Sequence, residues 1–122
     1  MLCLVRLELA RTPEKPEGDP QHGFEFVAPL RKDGHIDAAA WRKQRDACTV
    51  QRFAPGEDDI GGHLVHTSGE RWAFHYDATG EPEEDEPGFR FASHAFRPDE
   101  YVSITEHDGV TRPFRVVWVR PV

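Results

Sequence analysis

Short runs that alternate between apolar and polar residues constrain the fold of this chain more than any other sequence feature. From Cys3 to Leu9, apolar residues alternate with Arg6 and Glu8, which is the period of two of a strand with one buried face. Residues 24–30 and 49–53 are two further short runs that we predict to be strands. Proline and glycine separate these runs, so the sequence predicts short strands joined by turns.

The first predicted hairpin pairs residues 62–67 with residues 70–77 around a two-residue turn at Ser68-Gly69. This register sets His66 opposite Arg71, Leu64 opposite Ala73, Val65 opposite Trp72 and His63 opposite Phe74. It also puts three aromatic residues on one face of the strand, namely Trp72, Phe74 and Tyr76. We therefore expect this aromatic stripe to lie in the interior.

The second predicted hairpin runs from Tyr101 through Asp108-Gly109 to Val119. Asp-Gly favours a type I′ turn, which would set His107 opposite Val110 and Ser103 opposite Phe114. The pattern Phe96-Arg-Pro-Asp-Glu-Tyr-Val-Ser-Ile, then Asp-Gly, then Phe114-Arg-Val-Val-Trp-Val resembles the closing hairpin of small curved barrels such as Src-homology-type domains. The resemblance is architectural and implies no functional residue.

One helix is predicted, over residues 38–46, because Asp37 can cap free backbone amides and the alanines that follow it favour helix. Proline and charge predict mobile loops at about residues 11–22 and 80–87. The prediction for residues 1–122 is a single domain of mainly β (α+β) class. It consists of one curved antiparallel sheet or a partly closed small β-barrel of about seven to eight strands with one short helix.

The charge of the chain makes nucleic acid a poor partner. Lys and Arg number 15 against 22 Asp and Glu, a formal net charge of −7 that repels phosphate backbones. The apolar N-terminus stops at Arg6, too early for a membrane span, so we expect no membrane association. Two isolated cysteines favour a reducing, cytoplasmic setting. We expect a bacterial-type cytosolic protein that is a monomer or weak dimer.

Two side chains suggest proton-transfer chemistry. His75 and Asp77 are two positions apart on one strand face, where the carboxylate could orient the imidazole. Cys48 lies among Lys43, Arg45 and Arg52 in the sequence, which would favour a thiolate nucleophile if they surrounded it in space. The alternative for Cys48 is a small buried apolar residue.

Histidines 63, 66 and 75 with Asp77 invite a metal-site hypothesis. In the predicted register, however, His66 and His75 share a face but lie roughly 13 Å apart along the strand, and His63 points to the other face. We therefore predict no metal site and no cofactor.

The function that these observations favour is a non-catalytic binding or accessory module that takes an unknown protein or small-molecule partner. Its candidate binding residues are His66, Arg71, Arg42 and Arg45. One alternative is a small enzyme that uses His75 and Asp77, with Cys48 as a further candidate. A second alternative is a metal-binding module.

Overall fold

The computed structural model describes residues 1–67, 71–77, 86–89 and 94–122. The strands are β1 Leu2–Leu9, β2 Asp19–Pro29, β3 Thr49–Ala54, β4 Glu57–Thr67, β5 Arg71–Tyr76, β6 Glu86–Phe89, β7 Tyr101–Thr105 and β8 Thr111–Pro121. Helix α1, Ala38–Gln44, lies between β2 and β3 and is followed by a 3-10 turn at Arg45–Ala47. No helix within the described ranges is long and apolar enough to cross a membrane.

The sheet closes into an antiparallel barrel in which each strand pairs with its neighbour in sequence and β1 pairs with β8. The predicted small β-barrel with one short helix is thus confirmed. Among the described residues, strand β6 has the fewest pairs, three with β5 and two with β7. Closure removes the free sheet edges that an open sheet would expose.

The core lies inside the barrel because inward-facing positions of the strands are apolar. The largest fully buried side chains are Phe24, Phe26, Phe74, Phe96, Phe114, Leu7, Leu64, Ile104, Val5 and Val102. Trp72 and Tyr76 are also buried, at 2% and 5% exposure, so the prediction of an interior aromatic stripe is confirmed. Such packed rings stabilise the core through apolar area and edge-to-face contacts, for example Phe24 on Phe114 with ring centroids 5.1 Å apart.

Helix α1 packs against the sheet through Trp41. Its start is as predicted, with the Ala40 N–H donating to Asp37 Oδ1 at 3.1 Å, but the helix ends at Gln44 and not at Asp46. The Trp41 Nε1–H donates to the Leu64 carbonyl at 3.0 Å, and its ring meets Trp72 edge-on at 5.4 Å. These contacts of Trp41 hold the connection between β2 and β3 against the barrel.

The predicted register of the first hairpin is wrong by one residue. His63 pairs with His75 and His66 pairs with Trp72, not with Phe74 and Arg71. Thr67 pairs with Arg71, and the predicted two-residue turn at Ser68-Gly69 lies outside the described residues. A one-residue slip exchanges the partners of every position in a strand.

The second hairpin differs from its prediction in the same way. Ser103 pairs with Pro113, and Val102 pairs with Phe114. Gly109 has a φ of 81°, but Asp108 does not take the positive φ that a type I′ turn requires. A three-residue loop at 107–109 therefore replaces the Asp-Gly turn, closed by Glu106 and Val110.

The predicted loops are shorter than expected where the structure describes them. Strand β2 begins at Asp19, inside the predicted loop 11–22, and β6 begins at Glu86, inside the predicted loop 80–87. Residues 80–85 of that second loop lie outside the described residues.

Candidate functional site

A groove of about 370 Å³ lies on the outer face of the barrel and is lined by residues of β1 to β4 and by Asp77, which follows β5. Its lining consists of Leu4, Glu25, Thr49, Val50, Gln51, Gly61, Gly62, His63 and Asp77. Glu25 pairs with Gln51, and Gln51 pairs with Gly61, so these three residues form one row across neighbouring strands. The Asp77 N–H donates to the Gly61 carbonyl at 3.2 Å and extends the row to the end of β5.

Gly61 opens the middle of this row. A Cβ added at Gly61 would meet no atom within 4 Å, so the absence of a side chain leaves space above the backbone. Glycine inside a strand often marks a place where another backbone or a ligand approaches closely. We call the surface formed by Glu25, Gln51, Gly61, His63 and Asp77 the Gly61 groove.

His63 and Asp77 form an ion-pairing contact at one end of the Gly61 groove. His63 Nδ1 lies 3.0 Å from Asp77 Oδ1, with side-chain exposures of 36% and 58%. The carboxylate can orient the imidazole and hold a proton on Nδ1, which leaves Nε2 as the ring atom available to a ligand. The contact stays open to water.

The groove continues over β1–β4 into a second cavity of about 510 Å³ that shares Glu25 and Gln51 with it. Gln51 Nε2 donates to Asp59 Oδ2 at 3.1 Å. Arg6 stacks over the Phe53 ring at 4.4 Å and pairs with Glu25 at 3.3 Å. Burial opposes the charge of Arg6, but the hydrogen bonds to Glu8 and Glu25 outweigh it and raise the pKa of Arg6.

The two cavities together carry more negative than positive charge. Their lining includes the carboxylates of Glu25, Asp59 and Asp77 against the guanidinium of Arg6. This excess of negative charge attracts cationic ligands. The arrangement is suited to accept hydrogen bonds from a cationic group.

Of the three residues that the sequence suggested for catalysis, Cys48 lies in the core and Asp77 has His63 as a partner. Asp77 contacts His63, which pairs directly with His75 and so shares its outer face. The prediction that His63 and His75 lie on opposite faces is therefore wrong. Cys48 belongs to the core cluster, where burial raises the pKa of its thiol to about 11. The basic side chains near Cys48 in sequence do not create a thiolate there.

Three of the four candidate binding residues, His66, Arg42 and Arg45, lie on or next to the helix. His66 stacks on Trp72 with ring centroids 4.1 Å apart and meets Trp41 at 5.7 Å. The guanidinium of Arg45 lies over the Trp41 ring at 5.5 Å, so Arg45 and His66 both contact Trp41. Arg42 and Arg71 are exposed, and Arg71 pairs with Thr67 at the start of β5. His66 faces inward and so does not share a face with His75.

A buried charged cluster is the feature that sequence reasoning missed. Glu106 and Arg52 are 2% and 4% exposed, and His22 and Arg112 also contact the Glu106 carboxylate. Arg52 stands between Val50 and Ala54 at an inward position of β3, so the alternation of that strand could have identified it. Its partner could not be found that way, because Glu106 reaches Arg52 only when the barrel closes.

A metal centre has no support in the described part of the chain, where no group of three or more His, Cys, Asp or Glu side chains is placed to hold an ion. Comparisons with protein families, with curated proteins and with solved structures found no match to this chain. The function must therefore be argued from the geometry.

Proposed function

We propose that this protein is a non-catalytic binding module that accepts a cationic side chain, an arginine or a lysine of a partner protein, in the Gly61 groove. The observation that carries the proposal is the placement of the Glu25 and Asp77 carboxylates in one groove with Gly61, which presents no side chain. A guanidinium offers up to five donors and matches carboxylate acceptors in a planar arrangement. Gln51 adds a further polar contact.

The core supports recognition on the outer face. Phe24, Phe74 and Phe114 are fully buried inside the barrel, and the ring of Phe24 contacts the rings of the other two. The polar residues of the Gly61 groove project from the other side of the same strands. A partner that binds there can leave the packed core unchanged.

The test uses a short acetylated, amidated Gly-Arg-Gly peptide and its citrulline counterpart, which keeps the shape of arginine but lacks its charge. We expect the arginine peptide to shift the amide resonances of Gly61, His63 and Asp77, and the citrulline peptide to bind about tenfold more weakly. The double variant Glu25→Gln/Asp77→Asn should lose this binding. The matched control Glu14→Gln/Asp58→Asn removes the same charge from exposed positions outside the groove and should retain it.

Two results would overturn this function. One is equal binding of the arginine and citrulline peptides, which would remove the role of charge. The other is equal loss of affinity in the groove variant and in the control variant, which would reduce the effect to the net charge of the molecule. Affinity should also fall with added salt, since the contacting groups are exposed.

A second candidate function is proton-transfer catalysis, which is favoured by the 3.0 Å contact between His63 and Asp77. Thr49 lies opposite His63 and lines the same groove, so it supplies a hydroxyl near the imidazole. Turnover of an activated ester that His63→Ala abolishes and His75→Ala preserves would favour this function. Equal rates in both variants and the parent protein would reject it.

We also propose that the protein acts in the cytoplasm as a monomer or weak dimer. Cys3 and Cys48 are both free and buried, which agrees with a reducing compartment. Cell fractionation and sedimentation velocity test the two statements.

A further inference from the structure

Another groove, separate from the two cavities described above and also of about 510 Å³, lies where the end of β1 and the connection to β2 meet β7 and β8. The residues that matter for its chemistry are Glu8, Arg11, Glu17, Asp19, Tyr101 and Arg115. Neither Gly61 nor His63 nor Asp77 belongs to it, so it is a site apart from the Gly61 groove. We call it the Tyr101 groove.

Tyr101 gives this groove an exposed aromatic surface. It is 57% exposed, whereas Val102 and Ile104 on the alternate positions of β7 are 2% and 0% exposed. Among the described residues, the other large hydrophobics with high exposure are aliphatic: Met1, Val110 and Val122. An aromatic ring held on a strand and open to water presents a flat apolar face at low entropic cost.

The charged residues around Tyr101 are largely paired with opposite charges. Glu8 contacts Arg6 at 2.6 Å, and Asp19 contacts Lys15 at 3.5 Å. Arg115 contacts Asp99 at 3.2 Å. The charged residues of the Tyr101 groove therefore offer many hydrogen-bond donors and acceptors. Their net charge is small because they are paired with residues of opposite charge.

We infer that the Tyr101 groove binds a neutral saccharide, with one face of a pyranose ring against Tyr101 and its hydroxyls toward Arg11, Glu17 and Arg115. A pyranose has an apolar face of C–H groups and a rim of hydroxyls that both donate and accept. An apolar ligand would take the charged groups of the groove out of water without replacing their hydrogen bonds to water, which is costly. An ionic ligand would meet charges of both signs, so a polar but uncharged ligand satisfies the site best.

The experiment is a ¹H–¹⁵N correlation titration with a panel of neutral sugars: glucose, galactose, mannose, maltose and cellobiose. At least one should give saturable shifts at Arg11, Tyr101 and Arg115. Tyr101→Ala should weaken that binding about tenfold, and Tyr101→Phe should preserve it because the ring remains. Val110→Ala, which truncates an exposed apolar residue outside the groove, is the matched control and should bind like the parent protein.

The proposal is overturned if no sugar of the panel gives saturable shifts. It is equally overturned if Tyr101→Ala binds as well as Val110→Ala, or if glucuronate or glucosamine, titrated alongside as charged controls, binds more tightly than every neutral sugar. The variant Glu25→Gln/Asp77→Asn should keep full saccharide affinity, which separates this site from the proposed function of the Gly61 groove. Unchanged melting temperatures verify that the Tyr101 variants are folded.

Discussion

Arg52 donates two hydrogen bonds to one oxygen of Glu106, from Nε at 3.0 Å and from Nη2 at 2.8 Å, and both side chains are buried. His22 Nε2 lies 3.0 and 2.9 Å from the two carboxylate oxygens, and Arg112 Nη1 donates to Oε1 at 2.8 Å. These residues come from β2, from β3, from the loop after β7 and from β8. The cluster therefore ties together parts of the barrel that are far apart in sequence.

Replacing Glu106 with Gln should destabilise the protein by about 3–5 kcal/mol, because the buried Arg52 would lose its buried counter-charge and keep only the half-exposed Glu57, 3.3 Å away. Urea unfolding measures the change. Glu14→Gln, at an exposed position, is the control and should change the free energy of unfolding by no more than about 0.5 kcal/mol. A similar small effect of Glu106→Gln would show that the cluster contributes little to stability.

Stability should fall as the pH decreases below about 4.5. Burial opposes the ionisation of Glu106, but its hydrogen bonds with His22 and Arg52 outweigh burial and hold its pKa below the ordinary value of 4.5. The hydrogen bonds from Arg112 and from the Val110 N–H lower the pKa of Asp108 from 3.8 to about 2. Both carboxyls bind protons more readily in the unfolded chain, so their stabilisation is present above the unfolded pKa and is lost through the folded one.

The free energy of unfolding, measured between about pH 6 and pH 2.5, checks this dependence. Asp108→Asn should be less stable than the parent protein at neutral pH, and the difference should shrink as the pH falls toward 2. A difference that stays constant over this range would contradict the role assigned to Asp108.

Gly62→Ala should destabilise the protein by about 1–3 kcal/mol, because its Cβ would overlap the carbonyl of His75 and force the strands apart. Gly61→Ala is the matched comparison, since a Cβ there meets nothing within 4 Å and should leave the melting temperature nearly unchanged. Equal melting temperatures for the two variants would be inconsistent with the β4–β5 register. In the peptide titration, Gly61→Ala should nevertheless weaken binding, because it narrows the groove.

Cys48 should resist thiol reagents in the native protein. Burial raises the pKa of its thiol to about 11, so few molecules carry the reactive thiolate at neutral pH. Labelling with a chromogenic disulfide should be slow in buffer and rapid in urea, and Cys48→Ser identifies the contribution of this residue. Rapid native labelling that Cys48→Ser removes would restore Cys48 as a candidate nucleophile.

Much of the fold could be predicted from local patterns. The alternation around Val5 and Leu7 identified β1, the alanine run after Asp37 identified the helix, and the aromatic stripe through Phe74 identified a buried face. Each of these features depends on neighbouring residues alone. The pairing partners in the two hairpins could not be predicted in this way, because both registers depended on the length of the connecting loop.

Only part of the candidate site could be predicted from the sequence. Asp77 was identified as an orienting carboxylate, but a one-residue change of register gives it His63 as its partner. Glu25 and Gln51 drew no attention in the sequence, since single polar residues on strands are common. They become part of a groove only because β2 and β3 lie side by side next to Gly61.

The alternation of apolar and polar residues, together with the positions of proline and glycine, by itself determined that this protein is a small antiparallel β structure with a single capped helix. The periods of strands and helices depend only on residues that are adjacent in the sequence. Tertiary structure alone decided the register, the closure of β1 on β8, and the meeting of Arg52 with Glu106. Contacts between residues 54 positions apart depend on how the whole sheet curls, and no local pattern specifies that curvature.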